Sequence, residues 1–270
     1  MKRLAESESL VLVSSSDIVT GLGALGLGRG DVAIVHASLS AFGVVPGGEQ
    51  VVLQALREVV GQEGTLVMPA QSWQLCDPDF LDDPAYDAAT RARIRDGLPV
   101  FDVDLTPTRS MGALAEVFRA QPTTRRSSHP HRSFAAQGPL AEHIVRTHPL
   151  QDPFGPGSPL DRLVELDAMA VLLGVGFDKC TALHHAELRA AGATGELVRN
   201  GARLDMEGGA QWCGWLEPKV SSGDFARVGD ALESEPGAVA AVTIGRARCR
   251  AVRLGALVRF AEQWFSNERG

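Results

Sequence analysis

The sequence of 270 residues has no CxxC pair, no HExxH pattern and no internal repeat, and it contains little that could cross a membrane. Its longest apolar runs, such as AMAVLLGVGF, fall well short of the roughly 20 residues that a spanning helix needs. Its four cysteines, Cys76, Cys180, Cys213 and Cys249, lie far apart. That spacing argues against a zinc knuckle and against a disulfide framework, so reduced thiols and no metal are expected. The opening stretch MKRLAESESLVLVSSS has two early basic residues, but Glu6 and Glu8 interrupt it and its apolar part runs only from Leu10 to Val13. It does not make a secretory signal, and a cytoplasmic location is expected. Positive charge is also short: 26 Lys and Arg face 33 Asp and Glu, a formal net charge of −7. Nucleic acid, which needs concentrated positive charge, is a poor partner; a cationic ligand fits better.

The rest of the composition is ordinary for a globular protein, with 44% hydrophobic and 22% charged residues on a length that buries a substantial core. Ser14 to Ser16 and Asp17 can cap a helix running to about Gly26, ahead of the turn GRGD and the apolar strand VAIVHAS. After the loop LSAFGVVPGG, the amphipathic helix EQVVLQALREVVG leads through QEG into the strand TLVMPA; a strand, a helix and a strand in that order build a parallel sheet core. From Gln71 to about Pro107, aspartates, prolines and the short helical piece DAATRARIRDG predict a long surface excursion of the kind that serves binding. A helix MGALAEVFRA, a basic and polar stretch TTRRSSHPHRSF, a helix PLAEHIVRTH and a loop PLQDPFGPGSPLDRLVELD follow. AVLLGVGF reads as a buried strand and TALHHAELRAA as the helix after it. Beyond Gly192, alternation in ELVRNGARLDM and AQWCGWLEPKV predicts antiparallel strands, with a last helix at LGALVRFAEQWF. The expectation is one continuous α/β domain over residues 1–270, with a central mixed β-sheet flanked by helices.

Chemistry concentrates at TALHHAE. With Thr181 as N-cap, His184 falls in the first helical turn, where unpaired amides and the helix dipole favour the neutral imidazole that a general base requires. Glu187, on the same face, can hold one ring nitrogen and leave the other free to take a proton. A purely structural hydrogen-bonded pair accounts for the same spacing, and spacing does not choose between the two. His185 points roughly 100° away around the helix, beside Arg189 on the solvent side. HxxE supplies only two ligands and makes no zinc site. Cys180 makes a thiol nucleophile conceivable, although a cysteine after a buried strand is more often plain packing.

Taken together, VHASLSAFGVVPGGEQVVLQALREVVGQEGTLVMPAQSW, TPTRSMGALAEVFRA, RSSHPHRSFAAQGPLA and DPFGPGSPLDRLVELDAMAVLLGVGFDKCTALHHAE resemble the aminoglycoside 3-N-acetyltransferase family, in its order and approximate spacing, over roughly Asp17 to Ala191. The resemblance implies transfer of acetyl from acetyl-coenzyme A to the 3-amino group of the 2-deoxystreptamine ring, conferring antibiotic resistance. It also implies an α/β fold of the family's own, distinct from the common small acetyltransferase fold, in a monomer or homodimer. Two other readings stay open: an acyl-coenzyme A enzyme for another amine, and a non-catalytic ligand-binding member of the fold.

In family terms His184 is the histidine of the TALHxAE motif, the base, and Glu187 is its orienting carboxylate. An ammonium nucleophile must lose a proton before it attacks a thioester, and a histidine suits that step. His36 matches a further family histidine near the acyl group. HASLSAFGVVPGG resembles the coenzyme-binding loop, which brings in Ser38, Ser40, Gly43, Val45, Gly47 and Gly48. RRSSHPHRSF would set Arg125, Arg126, Ser127 and His129 against phosphates, where composition alone reads a solvated basic loop. The acidic run CDPDFLDDPAYD holds Asp77, Asp79, Asp82, Asp83 and Asp87, a candidate mouth for a polycationic aminoglycoside. Cys180 falls where family members often carry a polar residue such as Asn, which leaves a covalent acetyl-cysteine route open.

Overall fold

The computed structural model describes residues 10–192 and 195–269, so Lys2, Glu6 and Glu8 of the amino-terminal stretch lie outside the described residues. Helix α1 (Ser15–Ala24) opens on a capping box: the Ser14 hydroxyl accepts from the Asp17 N–H at 3.2 Å and Asp17 accepts from the Ser14 N–H at 2.8 Å. Strand β1 (Val32–Ala37), helix α2 (Gly48–Val60) and strand β2 (Thr65–Pro69) form the expected strand, helix and strand, with β1 and β2 parallel. The excursion carries two helices, α3 (Pro78–Leu81) and α4 (Ala88–Gly97), and leads to α5 (Ala113–Arg119).

The basic stretch departs from the expected surface loop. It contains strand β3 (Arg125–Arg126) and runs into strand β4 (Phe134–Gln137), because Arg126, Arg132 and the histidines find partners inside the protein. Helix α6 (Ala141–Val145) follows, and the predicted loop 149–167 holds a further helix, α7 (Pro159–Glu165), started by Ser158 as cap and Pro159 in the first turn. Strand β5 (Met169–Leu173) and helix α8 (Ala182–Ala191) match the sequence pattern. Strands β6 (Leu197–Met206) and β7 (Gly209–Pro218) pair as expected, but as a separate two-stranded sheet. Helix α9 (Phe225–Glu233) and strands β8 (Ala240–Ile244) and β9 (Ala247–Arg253), which the sequence did not announce, precede α10 (Leu254–Arg269).

The central sheet has seven strands in the order β3-β4-β2-β1-β5-β9-β8, parallel from β2 through β1 to β5 and antiparallel at both margins. Alternation divides the core between its faces: Ala33 and Val35 of β1 pack with α2, while Val32 and Ile34 pack with α7, α8 and α10. The chain thus leaves β1 for β2 over one face and arrives at β5, on the other side of β1, from the opposite face. In an open α/β sheet such a switch leaves a crevice beyond the carboxyl ends of the strands, where ligands bind.

Candidate active site

The carboxyl ends of β1 and β2 open on a cavity of about 260 Å³, lined by His36 from β1 and Ser38 just beyond it, Met68 and Pro69 from β2, Ser110 to Gly112 ahead of α5, and Lys179 and Thr181 ahead of α8. His36 lies opposite Leu172 of β5 and in phase with Val32 and Ile34, so it belongs to the face that carries α8. Burial pushes its pKa down to about 4, so the ring is neutral at ordinary pH, and its buried Nε2 has no hydrogen-bond partner among the described residues.

Helix α8 begins on the same edge of the sheet, since β5 runs parallel to β1. Its first turn carries His184, whose Nδ1 lies 2.9 Å from Glu187 Oε2. The ring stacks on Phe154 at 4.9 Å with 14° between planes and meets Phe225 at 4.7 Å. Loss of water among these rings lowers the His184 pKa; Glu187 works against that shift, and Arg132 and Arg269 reinforce it. With an Nδ1–H donated to Glu187, the lone pair sits on Nε2, which no protein group occupies among the described residues. This is the electronic arrangement of a general base. Glu187 is itself held, because its Oε1 accepts from the Ser221 N–H at 2.9 Å and from Arg269 at 2.6 Å.

Two expectations around this turn are corrected, and Cys180 packs as its position after a buried strand suggests. Thr181 stands at the N-cap position but has helical dihedrals and makes no side-chain capping bond; it lines the cavity instead. His185 is not on the solvent side: it is 1% exposed, with Nδ1 at 2.7 Å from the Phe154 carbonyl, because the segment ahead of α7 covers that side of α8. Cys180 packs fully buried in the core, where burial pushes its thiol up to about 12; the thiolate a nucleophile needs is disfavoured.

Residues 34–266 match the family model for aminoglycoside 3-N-acetyltransferases. The chain belongs to that family. It is accordingly an acyltransferase of the acetyl-coenzyme A-dependent class. It is 38% identical over 99% of its length to the SPbeta prophage-derived aminoglycoside N(3')-acetyltransferase-like protein YokD of Bacillus subtilis, covering 97% of that protein. The crystal structure of YokD superposes with a TM-score of 0.91, covering 100% of this chain and 98% of that one. Aminoglycoside N(3)-acetyltransferase VIII of Streptomyces fradiae is 38% identical over 78% of this chain and 73% of its own. A structure described as AAC-IIIb binary with CoASH has 30% identity and a TM-score of 0.84, covering 95% of this chain and 97% of that one.

The other residues expected from the family resemblance separate into two groups. Ser38 lines the cavity, and the exposed Ser40 hydroxyl lies 3.1 Å from that of Ser38. Gly43, Val45, Gly47 and Gly48 do not line it. Their turn bridges to the segment ahead of α1, where Val44 donates to the Val11 carbonyl and Val13 to that of Val44. Gly43 has φ +102, and a Cβ there would lie 2.6 Å from the Val11 oxygen, so the close approach it permits is to protein backbone.

Arg126 and Ser127 offer no free donor to a phosphate. Arg126 donates to the Ala70 carbonyl at 2.6 Å, to Ser72 Oγ at 2.7 Å and to Ser133 Oγ at 3.0 Å, and it stacks over Phe101. The fully buried Ser127 hydroxyl accepts from the Phe134 N–H and bonds His148 Nδ1, both at 2.9 Å. His129 is equally buried, its Nδ1 accepting from the N–H groups of His131 and Arg132 at 3.1 Å. Arg125 alone is exposed, 3.9 Å from Glu142.

The acidic run is largely neutralised from within. Asp77 is buried, and Arg95 bonds both it and Asp79. Arg91 reaches Asp79 at 3.3 Å and Asp82 at 3.5 Å. Asp83 accepts from the Ala85 N–H, and Asp87 caps α4. Asp79 and Asp82 do border a separate cleft of about 530 Å³, but Arg132, Arg199 and Lys219 border it too. Sequence reasoning overlooked Ser110, Gly112 and Thr181 on the cavity wall. TPTRSMGALAEVFRA was legible as a motif, yet nothing in it singles out which residues turn inward.

Proposed function

We propose that the chain transfers acetyl from acetyl-coenzyme A to the 3-amino group of the 2-deoxystreptamine ring of an aminoglycoside by direct attack, with His184 as general base, which makes it an antibiotic-resistance enzyme contained in one domain. The observation that carries this reading is the paired His184 and Glu187 with the imidazole Nε2 unengaged, on the sheet edge that also bears the cavity. The thioester end of the coenzyme enters that cavity past Ser38. His184 Nε2 takes a proton from the substrate ammonium, and the freed lone pair attacks the thioester carbonyl carbon. The tetrahedral adduct collapses with cleavage of the C–S bond, and the second proton shed by the nitrogen as it becomes the amide goes to the departing coenzyme thiolate. Neutral His36 lies at the mouth of β1 for the acyl group.

A coenzyme A release assay across a panel of 2-deoxystreptamine aminoglycosides, with the position of acetylation read by NMR, tests the reaction. No release with any aminoglycoside overturns it. Single-turnover incubation with labelled acetyl-coenzyme A and no amine tests direct attack; label retained on Cys180 overturns it. A second reading, acylation of another amine, is favoured by one observation: Asp77, Asp79 and Asp82 already hold Arg91 and Arg95, which leaves less negative charge for a polycation. Release with a small monoamine that exceeds release with every aminoglycoside supports that second reading.

A further inference from the structure

We infer that Arg269 is a positioning residue for acetyl transfer: from the last turn of α10 its guanidinium holds the oxygen of Glu187 that His184 does not use, fixing the carboxylate and keeping a positive charge beside the imidazole. The inference rests on the role proposed for His184.

Glu187 has two oxygens and each has a separate duty. Oε2 faces His184 Nδ1 at 2.9 Å, while Oε1 takes a hydrogen bond from the Ser221 N–H at 2.9 Å and one from Arg269 Nη1 at 2.6 Å. The carboxylate is 5% exposed, so rotation about its terminal bond would cost it charged partners that water does not replace. Arg269 is itself anchored on both edges. Its Nε and Nη2 hold the two oxygens of Asp224 at 2.8 and 2.6 Å, its Nη2 donates to the Ser221 carbonyl at 3.2 Å, and its guanidinium lies 4.3 Å from the Phe265 ring centre. The same side chain thus fastens α8, α10 and the segment before α9 together at the base.

The charges that face His184 are few. Glu187 comes from its own helix, Arg269 from α10 with Asp224 behind it, and Arg132 from the turn before β4; Phe154 and Phe225 cover the ring faces. His185, next along α8, turns away to the Phe154 carbonyl. Within this set Arg269 has two effects in one direction. It competes for the negative charge that would stabilise an imidazolium, and it repels the imidazolium directly. Both keep His184 neutral and ready to take a proton. Arg269 lines neither the cavity at β1 nor the cleft beside Asp79, so its action passes through Glu187.

The test compares Arg269→Gln, Arg269→Lys and Asp224→Asn in the full chain. The His184 imidazole is titrated by NMR, assigned by the signal lost in His184→Gln, and steady-state rates are measured with acetyl-coenzyme A and the aminoglycoside turned over fastest. In Arg269→Gln the His184 midpoint should rise by about half a pH unit or more, as expected for one nearby charge removed. kcat should fall about tenfold from loss of alignment, with the KM for acetyl-coenzyme A unchanged. Arg269→Lys should restore most of both, and Asp224→Asn should shift them in the same sense by less. A midpoint that stays put or falls in Arg269→Gln overturns the inference, even if activity is lost, because a merely structural role would leave the titration alone. If the wild-type protein turns over no aminoglycoside, the proposed function falls by itself, and the titration still decides the part played by Arg269.

Discussion

Two short stretches of this protein are rich in histidine, and they come to opposite uses. In RRSSHPHRSF both histidines vanish into the interior: His129, His131 and the distant His148 form a cluster, with the His131 and His148 ring centres 5.8 and 4.8 Å from that of His129. His148 bonds Ser127 and the Pro153 carbonyl, and one nitrogen each of His129 and His131 bonds backbone groups, while His129 Nε2 and His131 Nδ1 have no hydrogen-bond partner among the described residues. In TALHHAE the buried His185 bonds only the Phe154 carbonyl, through Nδ1, while its neighbour His184 bonds the Glu187 carboxylate. Both settings depress the imidazole pKa by burial. What sets the proposed base apart from the structural histidines is therefore the buried carboxylate bonded to one of its nitrogens, and not a vacant nitrogen, the number of histidines or the size of the shift.

His184→Gln should lower kcat by about 10² to 10⁴, the usual worth of a general base, with the dissociation constant for coenzyme A by calorimetry and the urea midpoint nearly unchanged. Near wild-type turnover would place the base elsewhere.

The buried cluster predicts a second effect, on stability. The folded pKa values of His131 and His148 are pushed down to about 3, and that of His129 also lies well below its ordinary value. The unfolded chain therefore takes up protons first. Stability is complete above about pH 6.5 and is lost as the pH falls towards 3, by about 1.4 kcal/mol per pH unit for each such histidine. Urea midpoints measured from pH 7 to 4.5 should fall steadily, and the slope should lessen in His148→Gln. A flat profile would mean that the cluster is protonated in the folded protein or is not buried.

The smallest effect is expected at the acidic run. Asp82→Asn removes a carboxylate that is 87% exposed and already paired with Arg91, so the aminoglycoside KM should rise less than about threefold, as for a surface ion pair. A much larger rise, abolished by salt, would show that the run steers the polycation after all.

The sheet was legible where periodicity is strong. β1, α2, β2, β5 and α8 each bury a continuous face, and apolar spacing reports that. β3 and β4 were hidden because Arg126, Ser127 and Ser133 look like surface residues; their burial is offset by hydrogen bonds whose partners, such as Ala70 and Ser72, lie far back in the sequence. The same reason hid the fully buried pair of Arg132 and Glu217, 85 residues apart and 2.9 Å from one another. At the site, the i,i+3 pairing of His184 and Glu187 was readable from helix geometry. The burial of His185 was not, since it depends on the segment ahead of α7 lying over α8. Arg269 was beyond reach for a related reason: 82 residues separate it from Glu187, and no periodicity spans them.

Among the described residues the hairpin of β6 and β7 forms no ladder with the central sheet, and it turns at Glu207 and Gly208 in an exposed tip between Met206 and Gly209. Such a tip can be lengthened cheaply, because loop entropy grows only with the logarithm of its length. Its base, however, carries Glu217, whose buried carboxylate holds Arg132 against Trp73 and Phe154, and Phe154 is the ring on which His184 stacks. A fluorophore grafted at residues 207–209 would therefore ride on an arm whose root touches the seat of the proposed base, making the hairpin a natural lever for reporting what happens there.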